Sequence, residues 1–405
     1  MTEVTMKNNR SGSRVFLCVL LCVCATVVYV YMMQAYRQED AIATEVTKDY
    51  ETKRIEAGLT EQAVRSYARE QSVYYSYQCL TEEEQMLYAE ILMILTQMEQ
   101  DMMLSTLDEK MIGTVFQCVL NDHPELFYVD GYELTRYTVG DELKRMTLTG
   151  AYSFTPEEVR SRKIQIEQYV SKCLNAIPQD ASEYEKVKYI YEYLILHTQY
   201  RMDSKENQTI CSVFLHGESV CQGYAKAMQY LCQRAGIETT LVVGTVHGGE
   251  GHAWNLVKID GAYYYVDVTW GDAYYVFEAA DTVVSEVDMG INYDYLCVTT
   301  EQIGKTHQID NVVPMPRCVA TEANYYVMEG VYFELADLQQ AANLFAQAYM
   351  QKKETVTLKC ADEAVYSEMK RLLIEEQQVF SYIQSGEMEI VYTKNDAQLT
   401  LSFWL

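Results

Sequence analysis

The stretch AWNLVKIDGAYYYVDV, residues 253–268, leaves the chain little choice of local fold. Two arms rich in apolar, aromatic and β-branched residues meet at Asp260-Gly261. An Asp-Gly pair between such arms predicts a β-hairpin closed by a two-residue type I′ turn. If those two residues are the whole loop, Ile259 pairs with Ala262. The same register sets Trp254 opposite Asp267 and His252 opposite Thr269. Opposed residues share a face of a sheet, so His252 and Asp267 share one. They become diagonal neighbours, with Cα atoms roughly 5–8 Å apart. A slip of one residue would send them to opposite faces.

Upstream, after Cys221, Tyr224 is followed by Ala227, Met228, Leu231 and Ala235 at offsets of three, four, seven and eleven, which trace one helical stripe. Gly236 follows as a stop. Cys221 therefore falls in the first turn of a buried helix. There the unpaired backbone N–H groups and the helix dipole favour a thiolate, and the same N–H groups suit the oxyanion of an acyl-transfer intermediate. A thiol, an imidazole and a carboxylate in these settings have the composition of a nucleophile, its base and the base's orienting acid.

Three pieces, VCQGYAKA around Cys221, HAWNLV around His252 and YYVDVTWGD around Asp267, resemble the core of the transglutaminase-like superfamily, a papain-like cysteine fold. DHPELFYV at residues 122–129 and KVKYIYEYLILHTQY at 186–200 are similar to flanking segments of bacterial members. The resemblance implies an α+β protein in which a helix-borne cysteine packs on an antiparallel sheet. It implies Cys221 as nucleophile, His252 as general base and acid, and Asp267 as the orienting acid. The implied reaction is attack on a carboxamide or peptide carbonyl, giving a thioester that an amine or water resolves. An amine acceptor gives crosslinking and water gives hydrolysis; the sequence leaves both open. The superfamily also contains members without catalysis, so the alternative is an inactive cell-surface binding or scaffold protein.

Each site residue has a rival. His247 lies in a turn-like Gly-Thr-Val-His-Gly-Gly segment with no orienting partner in view. Asp272, beyond Gly271, suits a turn. Trp254 and Trp270 either wall a cleft or pack the core. Cys211, His216, Cys221 and Cys232 suggest zinc, but CSVFLHGESVC lacks the short Cys-x-x-Cys clip of a metal site. No EF-hand loop is present. No metal or cofactor is therefore expected.

Val15–Ala35 is a 21-residue run without charge, long enough to span about 30 Å of hydrocarbon as one transmembrane helix. Lys7, Arg10 and Arg14 precede it; Arg37, Glu39 and Asp40 follow. That asymmetry predicts a signal anchor in the cell membrane, with residues 1–14 cytoplasmic and the bulk of the chain extracytoplasmic. Cleavage as a signal peptide is the alternative, although no clean small-x-small site follows. The 58 acidic against 32 basic residues, a balance of −26, argue against nucleic acid and against adhesion of the soluble part to anionic lipid. A protein or peptide substrate, accessible at the cell surface, is the expected partner. Twelve cysteines, three of them in the apolar run, are scattered without the paired spacing of a disulfide framework.

The organisation expected is a juxtamembrane stalk at residues 36–72, an N-terminal α+β region at 73–178, the transglutaminase-like core at 179–319 and a C-terminal α/β domain at 320–405. A capping box at Thr81 starts one helix, and Thr155-Pro156-Glu-Glu starts a long one through Cys173. Strands are expected near 126–137 and 146–154. In the last region the pattern predicts a strand over Tyr325–Leu335, a helix from Leu338, a strand from Thr355 and a helix over Asp362–Phe380. Two final strands, near Met388–Tyr392 and Leu399–Trp404, are expected to flank a Lys394-Asn-Asp turn.

Overall fold

A computed structural model describes residues 10–246, 248–272, 275–279, 282–287, 291–383 and 389–405; for residues 10–23, 275–279 and 282–287 it describes the backbone alone. Its centre is a five-stranded antiparallel sheet: β1 (Thr239–Val246), β2 (Gly251–Ile259), β3 (Ala262–Val266), β4 (Leu296–Val298) and β5 (His307–Ile309), in spatial order β4-β3-β2-β1-β5. The turn chemistry sets the register of the central hairpin. Asp260 and Gly261 take φ of +50° and +83°, Ile259 pairs with Ala262, and the ladder runs to Asn255 opposite Val266.

The Cys221–Arg234 helix lies against β2 and β1. Tyr224, Ala227, Met228 and Leu231 form its buried stripe, and Gly236 follows with φ of +83°. Asn255, fully buried in the middle of β2, donates from Nδ2 to the Ala225 carbonyl at 2.9 Å, tying helix to sheet. Gly223 lets the helix start close to the preceding loop: a Cβ there would lie 2.0 Å from Ser219 Oγ and 2.7 Å from the Asn207 carbonyl.

One continuous apolar core runs from Leu59 to Ala323 and takes in helices Glu82–Gln97, Glu109–Asp122 and Glu183–His197. The capping box expected at Thr81 forms, and the helix expected after Thr155 begins with one too. The strands expected near residues 126–137 and 146–154 run over Val129–Val139 and Glu142–Tyr152 and pair antiparallel. Packing starts before Val73, since Leu59, Val64 and Ala68 already belong to the core. Helix Arg10–Glu56 leans on this body through its second half. Tyr50 donates to Asp101 at 2.6 Å, Lys144 pairs with Asp40 at 2.9 Å, and Arg54 pairs with the buried Glu90. Among the described residues no helix is long and apolar enough to cross a membrane; the side chains of the expected span through Val23 lie outside them.

The C-terminal region has its own core around Phe333, Phe345, Leu358, Leu401 and Phe403. Three expectations need correction there. Tyr325–Met328 is a helical turn, and only Tyr332–Phe333 is strand. The Asn324 side chain accepts from Tyr326 N–H at 3.2 Å, Tyr325 stacks on Tyr293 at 3.7 Å, and Gly330 turns the chain at φ +70°. These contacts override the aromatic β-propensity. The helix capped by Asp362 is regular only over Glu363–Lys370. A π-turn over Arg371–Glu375 follows, and Gln377 at φ +56° ends it. The last hairpin joins Tyr392–Asn395 to Thr400–Trp404, so its turn lies beyond Lys394; Met388 lies outside the described residues.

Candidate active site

Cys221 is the first residue of its helix. No side chain caps the helix at Val220, so the first-turn N–H groups stay free of a capping side chain. The thiol is partly exposed. His252 is the second residue of β2, opposite Gly244 on β1. Its Nε2 lies 2.7 Å from Asp267 Oδ2. Cys221 lies near enough to the same imidazole to help raise its pKa. Asp267 follows β3 and caps the short Val268–Gly271 helix. The structure thus brings Cys221, His252 and Asp267 together.

Asp267 is fully buried and has every acceptor position in use. Oδ1 accepts from the N–H groups of Thr269 at 3.0 Å and Trp270 at 3.1 Å. Oδ2 accepts from His252 and, at 3.0 Å, from Nε2 of His307. Burial alone would raise its pKa, but the two histidines hold it well below the usual carboxylate range. For His252, burial disfavours the cation. The charge and hydrogen bond of Asp267, with a smaller contribution from Cys221, outweigh that and raise the imidazole to about 10. At neutral pH His252 is therefore an imidazolium beside a thiol, the electrostatic setting of an activated cysteine.

His307 has no counterpart in the sequence reading. It lies on edge strand β5, where it pairs with Val246 of β1. Its side chain is sealed from solvent and surrounded by Trp254, Trp270 and Tyr295. A carboxylate only accepts, so His307 Nε2 carries a proton, and Nδ1 meets the Thr306 hydroxyl at 2.8 Å. Nothing local in the sequence marks it, because a 40-residue excursion separates it from Asp267.

The rivals fall elsewhere. Asp272 accepts from Tyr224 OH at 2.7 Å. His247 lies outside the described residues. Trp254 is fully buried, packs with Val242, Leu256 and Tyr265 and stacks on His252, while Trp270 is half-buried; both rings lie 5.9 Å from the imidazole. The metal-capable cluster among the described residues is His252, Asp267 and His307, rather than Cys211, His216, Cys221 and Cys232. Two imidazoles and a carboxylate can hold a metal. Here the two imidazoles already donate to the same carboxylate oxygen, so the geometry is that of a hydrogen-bonded network. The described cysteines are free thiols.

Residues 172–268 match the transglutaminase-like superfamily. The chain is 24% identical over 175 residues to the kyphoscoliosis peptidase of Mus musculus, covering 39% of this chain and 26% of that protein. It is 24% identical over 186 residues to the Homo sapiens protein of the same name, covering 42% and 27%. The chain thus spans about a quarter of the length of the curated relatives it matches. Similar solved structures include a TGase, with a TM-score of 0.26 at 18% identity, covering 35% of this chain and 44% of that one. Another is a Bacillus cereus arylamine N-acetyltransferase with a Cys-His-Glu catalytic triad, with a TM-score of 0.21 at 14% identity, covering 41% and 75%.

Proposed function

We propose, from a core whose residues 172–268 belong to the transglutaminase-like superfamily, that this protein is a cysteine acyltransferase or peptidase acting through Cys221, His252 and Asp267. The observation that carries the reading is the His252–Asp267 pair at 2.7 Å, with Cys221 at the uncapped start of its helix near enough to help raise the imidazole's pKa. The thiolate attacks a carboxamide or peptide carbonyl, and His252 delivers its proton to the departing amine. The resulting thioester passes its acyl group to an amine or to water, with His252 taking the acceptor's proton. Asp267 holds the imidazole in place and stays ionised throughout.

The test is acyl capture. Incubating the protein with a glutamine-containing peptide and a primary amine should yield a thioester adduct at Cys221 and release ammonia. Amine transfer marks a crosslinking outcome, and conversion of the glutamine to glutamate within the peptide a hydrolytic one. If Cys221→Ala processes the peptide as well as wild type does, the reading fails.

For location, the proposal is a single-pass anchor over residues 15–35 with the catalytic region outside the cytoplasm, supported by the uncharged run and the basic residues before it. A membrane-impermeant label on intact cells should reach Lys353 and spare Lys7. The reverse pattern would rule the topology out.

A further inference from the structure

The helix Arg10–Glu56 and the hairpin formed by Val129–Val139 and Glu142–Tyr152 take no part in the acyl-transfer steps above. Every residue from Val27 to Met32 is between 49% and 73% exposed. That run is longer than one helical turn, so the helix is apolar on every side there, as a membrane span is. One turn further on, it meets the body. Tyr36, Asp40, Thr47, Tyr50 and Arg54 recur at offsets of four, seven, three and four, which is one face of a helix. Tyr36 OH donates to Glu142 at 2.9 Å. Lys144 holds Asp40 and Glu142, each at 2.9 Å. Arg145, 6% exposed, lies over the rings of Tyr50 and Tyr137 at 4.8 and 3.8 Å and reaches the Thr47 hydroxyl at 3.5 Å. The Tyr50 and Tyr137 hydroxyls meet at 3.0 Å.

The order of these contacts fixes the direction of the hairpin. Its middle, at Tyr137 and Arg145, lies beside Thr47 and Tyr50. Its turn, Gly140-Asp141 between the paired Val139 and Glu142, lies at the Tyr36 end. A Cβ on Gly140 would be 3.9 Å from the Tyr36 ring. Tyr36 is the residue that follows the uncharged run 15–35. Residues 36–40 rise about 6–8 Å along the helix, close to the thickness of one headgroup layer. The turn therefore stands level with the end of the apolar span.

We propose that the Gly140-Asp141 turn rests in the headgroup layer of the membrane that residues 15–35 cross, with the hairpin as a strut between bilayer and catalytic body. The partner is a phospholipid surface of zwitterionic headgroups. Around the turn Arg37 and Lys144 stand against Glu39, Asp40, Asp141 and Glu142. Anionic lipid would repel that excess of acid, and the cationic ends of zwitterionic headgroups would accept it. The strut and the helix, bonded to each other from Tyr36 to Tyr50, hold the body in one orientation on its anchor. The active site then works at one height above the bilayer, on acyl donors presented at that height.

The inference rests on the proposed anchor, and two probes separate their fates. The full chain is reconstituted in phosphatidylcholine vesicles whose lipid carries a photoactivatable diazirine either on the headgroup or deep in the acyl chain. After illumination, tryptic peptides are mapped by mass spectrometry. The headgroup probe should label residues 137–144, and the deep probe should label residues 15–37 and spare 137–144. Deep label on 15–37 with no headgroup label on 137–144 would overturn the strut and leave the anchor standing. Deep label on 137–144 would put the turn in the hydrocarbon and overturn its seat among the headgroups. Absence of deep label from 15–37 would overturn the anchor and the strut together.

Discussion

Asp122 and Asp267 are both sealed from solvent, at 1% and 0% exposure, and they are held by opposite kinds of partner. Asp122 accepts from the N–H groups of Ser76 and Tyr77 at 3.1 and 3.0 Å and from the Tyr88 hydroxyl at 3.1 Å. None of these carries a charge. Burial dominates, and the Asp122 carboxyl is pushed above its ordinary pKa despite the neighbouring His123. Asp267 also has two backbone donors, but its other two are imidazoles, and its pKa falls. A buried carboxylate is therefore no sign of chemistry by itself. Asp122 staples three segments of the main core. Asp267 is coupled to a group that can exchange a proton with a thiol.

Substitution should separate the two. Asp267→Asn keeps the shape but removes the charge and presents an amide N–H where an acceptor is needed. Acyl transfer should fall by about 10³- to 10⁴-fold, measured as release of p-nitrophenolate from p-nitrophenyl acetate per folded molecule. Equal activity in Asp267→Asn and Asp122→Asn would erase the contrast.

Next in size is the pH dependence of stability. The His252 pKa is raised from 6.5 to about 10, so its stabilising contribution is fully present below about 6.5 and is lost as pH rises through about 10. Asp267 is depressed, so its contribution is present above its ordinary value of 3.8 and is lost as pH falls below that. One pKa unit corresponds to about 1.4 kcal/mol, so the His252 contribution is of the order of a few kcal/mol. Denaturant melts of wild type and His252→Gln should converge between pH 6.5 and 10. Parallel curves would show that the imidazole is not paired as described.

Asp122→Asn should act on folding. Leaving one or two buried donors without an acceptor costs about 1–3 kcal/mol, seen as a lower denaturation midpoint, while acyl transfer per folded molecule stays near wild type. An effect of similar size is expected at the approach to the site. In Gly223→Ala the new methyl must displace Ser219 and Ser212, whose hydroxyls it would meet at 2.0 and 2.7 Å. Overpacking of this kind costs about 1–3 kcal/mol. Because the strain falls two residues from Cys221, alkylation of the thiol should slow as well. An unchanged melt and an unchanged alkylation rate would show that the loop yields freely.

What could be read from the sequence was local. Asp260-Gly261 dictates its own turn, and the turn dictates the register that puts His252 and Asp267 on one face. The apolar spacing after Cys221 and the helix starts at Thr81 and Thr155 are local signals of the same sort. His307 was illegible because it reaches Asp267 through an edge strand that pairs with distant β1. The turn at Tyr325–Met328 was misread because aromatic residues suit strands, and only the folded chain supplies Tyr293 for stacking and Asp294 for the Tyr326 hydroxyl at 2.7 Å. The capping role of Asp267 was equally hidden: its donors at Thr269 and Trp270 exist because the chain turns into a helix directly after β3.

The central claim is that His252 activates Cys221, and the most direct measurement is the pH profile of iodoacetamide alkylation at Cys221, followed site by site by mass spectrometry with exposed Cys79 as the internal reference. Wild-type Cys221 should react faster than Cys79 near neutral pH, and His252→Gln should remove that advantage, by about 10²-fold or more. If Cys221 tracks Cys79 across the whole pH range, with His252 and without it, the thiol is not activated and the site is a scaffold rather than an active centre.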